Sequence, residues 1–437
     1  MTTAAAAAGR LAPVPRVRLR VRWKIFLFLF GFGLIAYLQQ KSLTVASYRM
    51  MPELGLTQMQ IGWLETAFVL GYTLMQFPGG VLGQRLGARA MFIAISLVAF
   101  VATMSTPLAP LVLQGSLLFG ALLAAQLLLG LAQGPIFPLS AGVFETWFTP
   151  DKWPLVQGLQ SLGLGLGAAL APPLISWLMS AFDWQRALAW TTLPALILIG
   201  AWAWYGRNTP AEHPAVSAAE LAELGPQPPR VNCAISWPGV WALMQNRDVL
   251  LLTGSYVCMN YVFYLLSNWS FLYLVQERHF TMLESGWLAT TPPLAAAVGA
   301  GVGGKLASVL GTRYGIRKGL RILPLVSLPA AGVLLFAAVD AANGYVAVAA
   351  LALCFAAVEL NEGPYWAAIM HVGRADTMSA SGLLNTGGNL GGVIALPVVG
   401  YLSGHHAWDT AFLIGMAFAA ASAAAWLWVD PTRRVAS

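Results

Sequence analysis

Charge is scarce in this sequence. Of 437 residues only 24 are Lys or Arg and 17 are Asp or Glu, or 9%, against roughly a quarter in soluble domains. A water-soluble chain of this length cannot cover its surface with so few charges, so a soluble enzyme is excluded, and so is a disordered chain. Cysteine is scarce too. Cys233, Cys258 and Cys354 are far apart, match no metal or redox spacing, and exclude a secreted disulfide scaffold. His279, His371, His405 and His406 show no ligand spacing, and no Gly-rich phosphate loop ends in Lys-Ser/Thr. No metal, no cofactor and no direct ATP hydrolysis are therefore expected. What is present is apolar: 58% hydrophobic residues, with 17 Trp, 20 Phe, 44 Gly and 26 Pro. That composition describes a polytopic, all-α membrane protein.

Apolar runs near the roughly 20 residues that cross a bilayer fall at 25–45, 59–82, 90–110, 115–142, 155–181, 187–205, 249–274, 284–307, 320–340, 345–370, 379–403 and 408–429, which is twelve. The first 24 residues carry Arg10, Arg16, Arg18, Arg20, Arg22 and Lys24 and no acid. This arm resembles a signal-peptide n-region, but the following run is long and lacks a small-residue cleavage site, so it is a retained span. Nucleic-acid binding by the arm is excluded because the rest of the chain is too apolar to leave the bilayer. With the N-terminus inside, 20 of the 24 basic residues fall on the cytoplasmic side, leaving Lys41, Arg49, Arg186 and Arg278 elsewhere. The asymmetry predicts that both termini are cytoplasmic, in the cell inner or plasma membrane.

The expected organisation is a basic arm (1–24), a six-helix half (25–205), a Pro-rich cytoplasmic linker (206–247), a second six-helix half (248–429) and a short tail (430–437). The halves repeat. A shift of 224 carries Gly79-Gly80 onto Gly303-Gly304, Gly163 onto Gly387, Gly167 onto Gly391, Pro173 onto Pro397 and Trp184 onto Trp408. A shift of 229 carries Gly134-Pro135 onto Gly363-Pro364. Parallel six-span repeats about an axis along the membrane normal describe the major facilitator fold, whose substrate cavity lies between the halves.

The loop after the second span, Gly79 to Arg89, resembles the G-x-L-a-D-r-x-G-x-r signature of the major facilitator superfamily, with Gly80, Gln84, Arg85, Gly87 and Arg89 as its gating residues. Gln84 stands where the signature has Asp. A weaker copy runs from Gly304 to Gly319. A narrower resemblance covers nearly the whole chain. It rests on Glu53–Thr57, on Ala67–Tyr72 with Gln76–Gly80, and on Gly130–Pro135 with Phe137-Pro138. Pro172-Pro173, Asn260–Tyr264 with Trp269, and Asn385–Gly392 complete it. These segments resemble the anion:cation symporter family of galactonate, hexuronate, phthalate, sialic acid and vesicular glutamate carriers. The resemblance implies proton- or sodium-coupled passage of a small organic anion. The family's charged positions in spans one and four are amides here, Gln39, Gln40, Gln126 and Gln133, which can hydrogen-bond but neither titrate nor carry charge.

Ionisable groups inside spans are costly and mark function. Lys41 is the expected cation for an anionic substrate, its alternative being a side chain that snorkels to the outer interface. Glu362 is the expected proton carrier, with Glu65 and Glu359 as the other candidates, and Lys41 can pair with Glu65 across the first two helices. A structural acid capping the broken tenth helix is the alternative for Glu362. The resemblance adds Tyr37, Gln40, Tyr72, Gln126, Gln133, Asn260, Tyr264, Asn268, Trp366, Asn385 and Asn389 as substrate contacts. The expectation is a monomeric secondary transporter that moves a small organic anion with protons by alternating access, and not an enzyme. Export, or passage of a neutral polar solute, is the second transport reading. A transporter-like sensor is a third, against which stands the lack of a soluble signalling domain.

Overall fold

The computed structural model describes residues 20–225, 237–281 and 290–433, with Glu284 and Leu288 between them. Arg10, Arg16 and Arg18 of the arm, linker residues 226–236 with Arg230 and Cys233, the start of the eighth apolar run and residues 434–437 include positions outside the described residues.

The chain is helical throughout the described residues. The first group is α1 (Val21–Leu54), α2 (Gln58–Leu86), α3 (Ala88–Leu108), α4 (Gly115–Gln133), α5 (Ile136–Trp147), α6 (Trp153–Ala181), α7 (Trp184–Thr192) and α8 (Pro194–Tyr205). Two short helices follow, α9 (Ala218–Leu224) and α10 (Trp237–Gln245). The second group is α11 (Arg247–Gln276), α12 (Thr291–Tyr314), α13 (Ile316–Asp340), α14 (Gly344–Glu359), α15 (Glu362–Gly373), α16 (Thr377–Gly404) and α17 (Trp408–Ala425). Local chemistry sets the ends. Gly55 closes α1 at φ +64°, and Thr57 opens α2 in a reciprocal capping box with Gln60. Asp183, Asn246 and Asn343 cap α7, α11 and α14 through their side chains.

Among the described residues eleven helical stretches are long and apolar enough to cross a membrane, three of them formed by the broken pairs α4–α5, α7–α8 and α14–α15. The apolar run not among these eleven is the second, 59–82, which is α2. It is a 29-residue helix, but Gln58, Gln60, Glu65, Gln76 and Gln84 dilute its apolar character. The first span is also longer than its apolar run, because α1 continues past Lys41 and Arg49 to Leu54. The tenth run breaks at Leu360-Asn361, ahead of Glu362, so that Pro364 lies within the first turn of α15, where a missing N–H costs nothing.

The linker is not a bare tether. Its first part crosses the ends of α1, α3, α5 and α8 and is fastened there. Arg22, buried, binds Glu220 at 3.0 Å and Glu223 at 2.7 Å, and Arg20 binds Glu223 at 2.5 Å. His213 is buried with its ring against Tyr205 at 4.6 Å and Trp147 at 5.9 Å, and its Nδ1 accepts from the Ala215 amide at 3.2 Å. Burial, then the nearby Arg207, pushes the His213 imidazole below its ordinary range. The chain's other end is tied similarly. Asp430 receives Arg317 at 3.3 Å and Arg433 at 3.7 Å, and its amide donates to Asp248 at 2.7 Å. Burial works against the Asp430 charge, yet hydrogen bonds from Thr432 and the two guanidinium groups hold its carboxyl below the usual range.

Helices α1–α8 pack chiefly among themselves, as do α11–α17, giving two bundles. They meet along two crossings, α2 with α16 and α6 with α12, and these crossings are copies of each other. Gly80 of α2 abuts the Met378 carbonyl of α16, while Gly382 of α16 abuts the Gln76 carbonyl of α2. Advanced by 224 residues, Gly304 of α12 abuts the Pro154 carbonyl of α6, while Gly158 of α6 abuts the Ala300 carbonyl of α12. A Cβ at any of these four positions would enter a backbone oxygen, so glycine is what lets the helices approach. Other inter-bundle contacts gather at the same end as the α2–α3 loop and its arginines, the basic end of the molecule. There the Gln84 amide donates to Asp376 at 2.9 Å and receives the Ser379 hydroxyl. Trp153 lies on His371 at 4.6 Å, and Ser308 donates to the Asp151 carbonyl.

Candidate functional site

Above this closed end, side chains from both bundles converge on one carboxylate. Glu362 opens α15 and is buried. Its Oε1 accepts from the Tyr256 hydroxyl of α11 at 2.9 Å, and its Oε2 accepts from Trp366 Nε1 at 2.8 Å and from Ser161 of α6 at 3.4 Å. Ser161 belongs to the first bundle and the other two donors to the second. Glu359, also buried, lies at the end of α14, within electrostatic reach of Glu362. Among the described residues no cation pairs with either carboxylate and the three donors to Glu362 are neutral, so two charges in this low-dielectric site would repel strongly.

Tyr37 of α1 and Tyr72 of α2 lie within electrostatic reach of this acid pair from the first bundle, and Tyr264 of α11 lies within reach of both tyrosines. Tyr264 donates to Asn389 of α16 at 2.7 Å, and Asn389 in turn donates across the bundles to Gln76 of α2 at 3.2 Å. Asn385 Nδ2 and Gln76 Nε2 are buried beside the Tyr72 hydroxyl, and neither has a partner that meets full hydrogen-bond geometry. Asn260 turns its amide onto the Tyr256 carbonyl at 2.9 Å. Trp366 stacks on Phe137 at 5.3 Å and 19°, and the two are repeat partners at the shift of 229.

The structure thus brings Tyr37, Tyr72, Asn260, Tyr264, Glu359, Glu362, Trp366, Asn385 and Asn389 together. It separates others. Gln133 donates to Gln39 at 3.1 Å in a cleft lined wholly by the first bundle, including Phe32, Ile95 and Leu198. Gln126 is buried two turns earlier on α4, and Gln40 is half-buried on α1. Asn268 is exposed and donates to its own helix, at the Tyr264 carbonyl, and to Ser267. Lys41 is half-buried on α1, one turn beyond Tyr37 on the same face. The exposed Glu65 lies within electrostatic reach of Lys41 and accepts from Thr44 at 3.0 Å. At the signature loop Gly87 has φ +82° and Arg89 donates to the Ala203 carbonyl of α8, while Arg85 is exposed.

Four residues of the site were not expected from the sequence: Tyr256, Ser161, Gln76 and Phe137. Tyr256 had a signal, since Tyr256, Asn260 and Tyr264 form a single i, i+4, i+8 stripe on α11. Phe137 had one as the repeat partner of Trp366. Ser161 and Gln76 had none beyond polarity inside a span.

Comparison with known proteins agrees with this arrangement. The Major Facilitator Superfamily profile matches residues 26–378. The probable sulfoacetate transporter SauU of Cupriavidus necator is 29% identical over 418 residues, covering 92% of each chain. The hexuronate transporter of Bacillus subtilis is 26% identical over 376 residues, covering 85% of each. Among solved structures, the transporter FucP in its outward conformation superposes with a TM-score of 0.70 at 16% identity, covering 94% of this chain and all 100% of its own. The proton:xylose symporter XylE superposes with a TM-score of 0.76 at 13% identity, covering 94% of this chain and 97% of its own. The chain belongs to the Major Facilitator Superfamily, a multi-pass integral membrane secondary transporter related to sugar-acid and other organic-anion carriers.

Proposed function

We propose that this transporter carries a small organic anion together with protons, by alternating access between two six-helix halves. In this reading α2 is the twelfth span, both termini are cytoplasmic, the basic end is the cytoplasmic end, and the structure is the outward-facing state with its inner gate shut. The observation that carries the reading is Glu362, a buried acid at the junction of the two bundles, with hydrogen-bond donors from each. A carboxyl there can be protonated from one side of the membrane and released to the other when the bundles part. Lys41, one turn outward of Tyr37, supplies the positive charge that draws an anion inward, and Tyr72, Tyr264, Asn385 and Asn389 orient its oxygens. The names of the relatives, which include sulfoacetate and hexuronate carriers, favour a short oxygen-rich acid. The test is uptake into proteoliposomes of sugar acids, aromatic acids, dicarboxylates and sulfonated acids, with and without an inward proton gradient. Gradient-stimulated uptake of at least one of these acids is expected. Gradient-independent passage of neutral sugars alone would point to a neutral-solute carrier instead.

A further inference from the structure

Met378, at the start of α16 and half-buried, reaches into space left by glycines of the opposite bundle. Gly142 of α5 lies against its Cγ and Cε, and a Cβ placed on Gly83 of α2 would sit 2.9 Å from its Sδ. Gly80 of α2 lies against its carbonyl oxygen, and Leu139 of α5 closes the wall beside Gly83. Gly83 and Gly142 leave the space that the Met378 side chain fills, and Gly80 lets its backbone approach. At the repeat-related crossing the equivalent position is Pro154, which meets Gly304 through its carbonyl. The two crossings therefore share a backbone scheme, and the socket at Met378 is an addition to one of them. Around it stands a polar collar of Gln84, Asp376 and Ser379.

We propose that Met378 is the plug of the gate at the basic end, a positioning residue that sets how tightly the two bundles close there. A methionine suits the task. It is unbranched and flexible, so it can fill an irregular socket and be withdrawn without leaving a buried polar group unpaired. Filling the socket from the wall should prise the gate open, and shortening the plug should loosen it. Doing both should restore the fit, because the added methyl occupies space that the shortened side chain has left.

The inference rests on the alternating-access reading, and the experiment separates the two. Spin labels are attached at Leu86→Cys and Tyr314→Cys, exposed residues of the first and second bundle at the basic end, with Cys233, Cys258 and Cys354 replaced. Their distance distribution is then measured in liposomes by electron–electron resonance. Gly142→Ala and Met378→Ala are each expected to raise the long-distance population roughly five-fold, the effect of modest overpacking or a small cavity. The double variant is expected to return it toward the parent value. A double variant as open as the sum of the singles overturns the plug. Met378→Ala leaves both bundle cores intact, so it carries the test if Gly142→Ala fails to fold, and an unchanged distribution for it also overturns the plug. A parent protein with one fixed distance at every pH and substrate concentration contradicts alternating access itself.

Discussion

Ser161 of the first bundle stands 3.4 Å from Glu362 of the second, where Tyr256 and Trp366 also donate. The acid at the centre of the proposed mechanism is thus held by both moving bodies at once. Opening at the basic end must pull the Ser161 hydroxyl away and admit water to the carboxyl. The proton and the gate are linked by that geometry, and Glu362→Gln tests it. The amide cannot titrate, so gradient-driven uptake is expected to fall to background while exchange of internal for external substrate persists. Equal loss of both activities would indicate a purely structural acid.

In the proposed mechanism Tyr256 acts on transport through Glu362. Tyr256→Phe removes a 2.9 Å donor and leaves the ring against Tyr365 and Trp366. A lost donor to a charged group amounts to about 1.5–3 kcal/mol. The pH profile of uptake should move in this variant, and move less in Ser161→Ala because its bond is longer. An unmoved pH profile in both variants would contradict the coupling.

Lys41 is expected to act on substrate affinity. Lys41→Met keeps the stem and removes the charge, and the KM for an anionic substrate should rise about 10- to 100-fold, the range for a lost charge-assisted hydrogen bond. Unchanged uptake kinetics would reduce Lys41 to a side chain at the interface.

The strap formed by residues 206–225 should be sensitive to acid. His213 is neutral where it docks, because burial lowers its proton affinity, whereas a released His213 titrates near 6.5. Release therefore takes up a proton below that value. Docking is at full strength above about pH 6.5 and weakens as the pH falls through the lowered value of the docked imidazole. Protection of the amides of residues 208–225, measured as exchange relative to the unprotected rate at each pH, should fall between pH 7.5 and 5.5, and His213→Phe, which retains the ring contacts, should abolish the change.

Much of this architecture was legible in the residues. The 224-residue shift that aligned Gly80 with Gly304 proved to join two equivalent helix crossings, because close backbone approach demands glycine wherever it recurs. Span limits were readable for α2 and α16, whose runs 59–82 and 379–403 became Gln58–Leu86 and Thr377–Gly404, and less so for α1, which continues past its apolar run to Leu54. Side-chain direction was not legible. Gln133 and Glu362 are repeat partners, yet one faces Gln39 inside its own bundle and the other faces Ser161 across the interface. Nor did polarity alone reveal that Glu65 would also accept from Thr44 of α1. The Met378 socket was invisible for a related reason, since Gly83 and Gly142 are unremarkable glycines until one side chain from another part of the chain fills the space they leave.

The most direct test of the central claim compares the parent and Glu362→Gln in proteoliposomes loaded at pH 7.5 and diluted into pH 7.5 or 6.0, with uptake of a transported acid and proton entry recorded together. The account predicts that the parent concentrates the acid and takes in protons only under the gradient, and that Glu362→Gln does neither while still exchanging substrate. Proton-driven accumulation of the acid by Glu362→Gln at the parent's rate would contradict it.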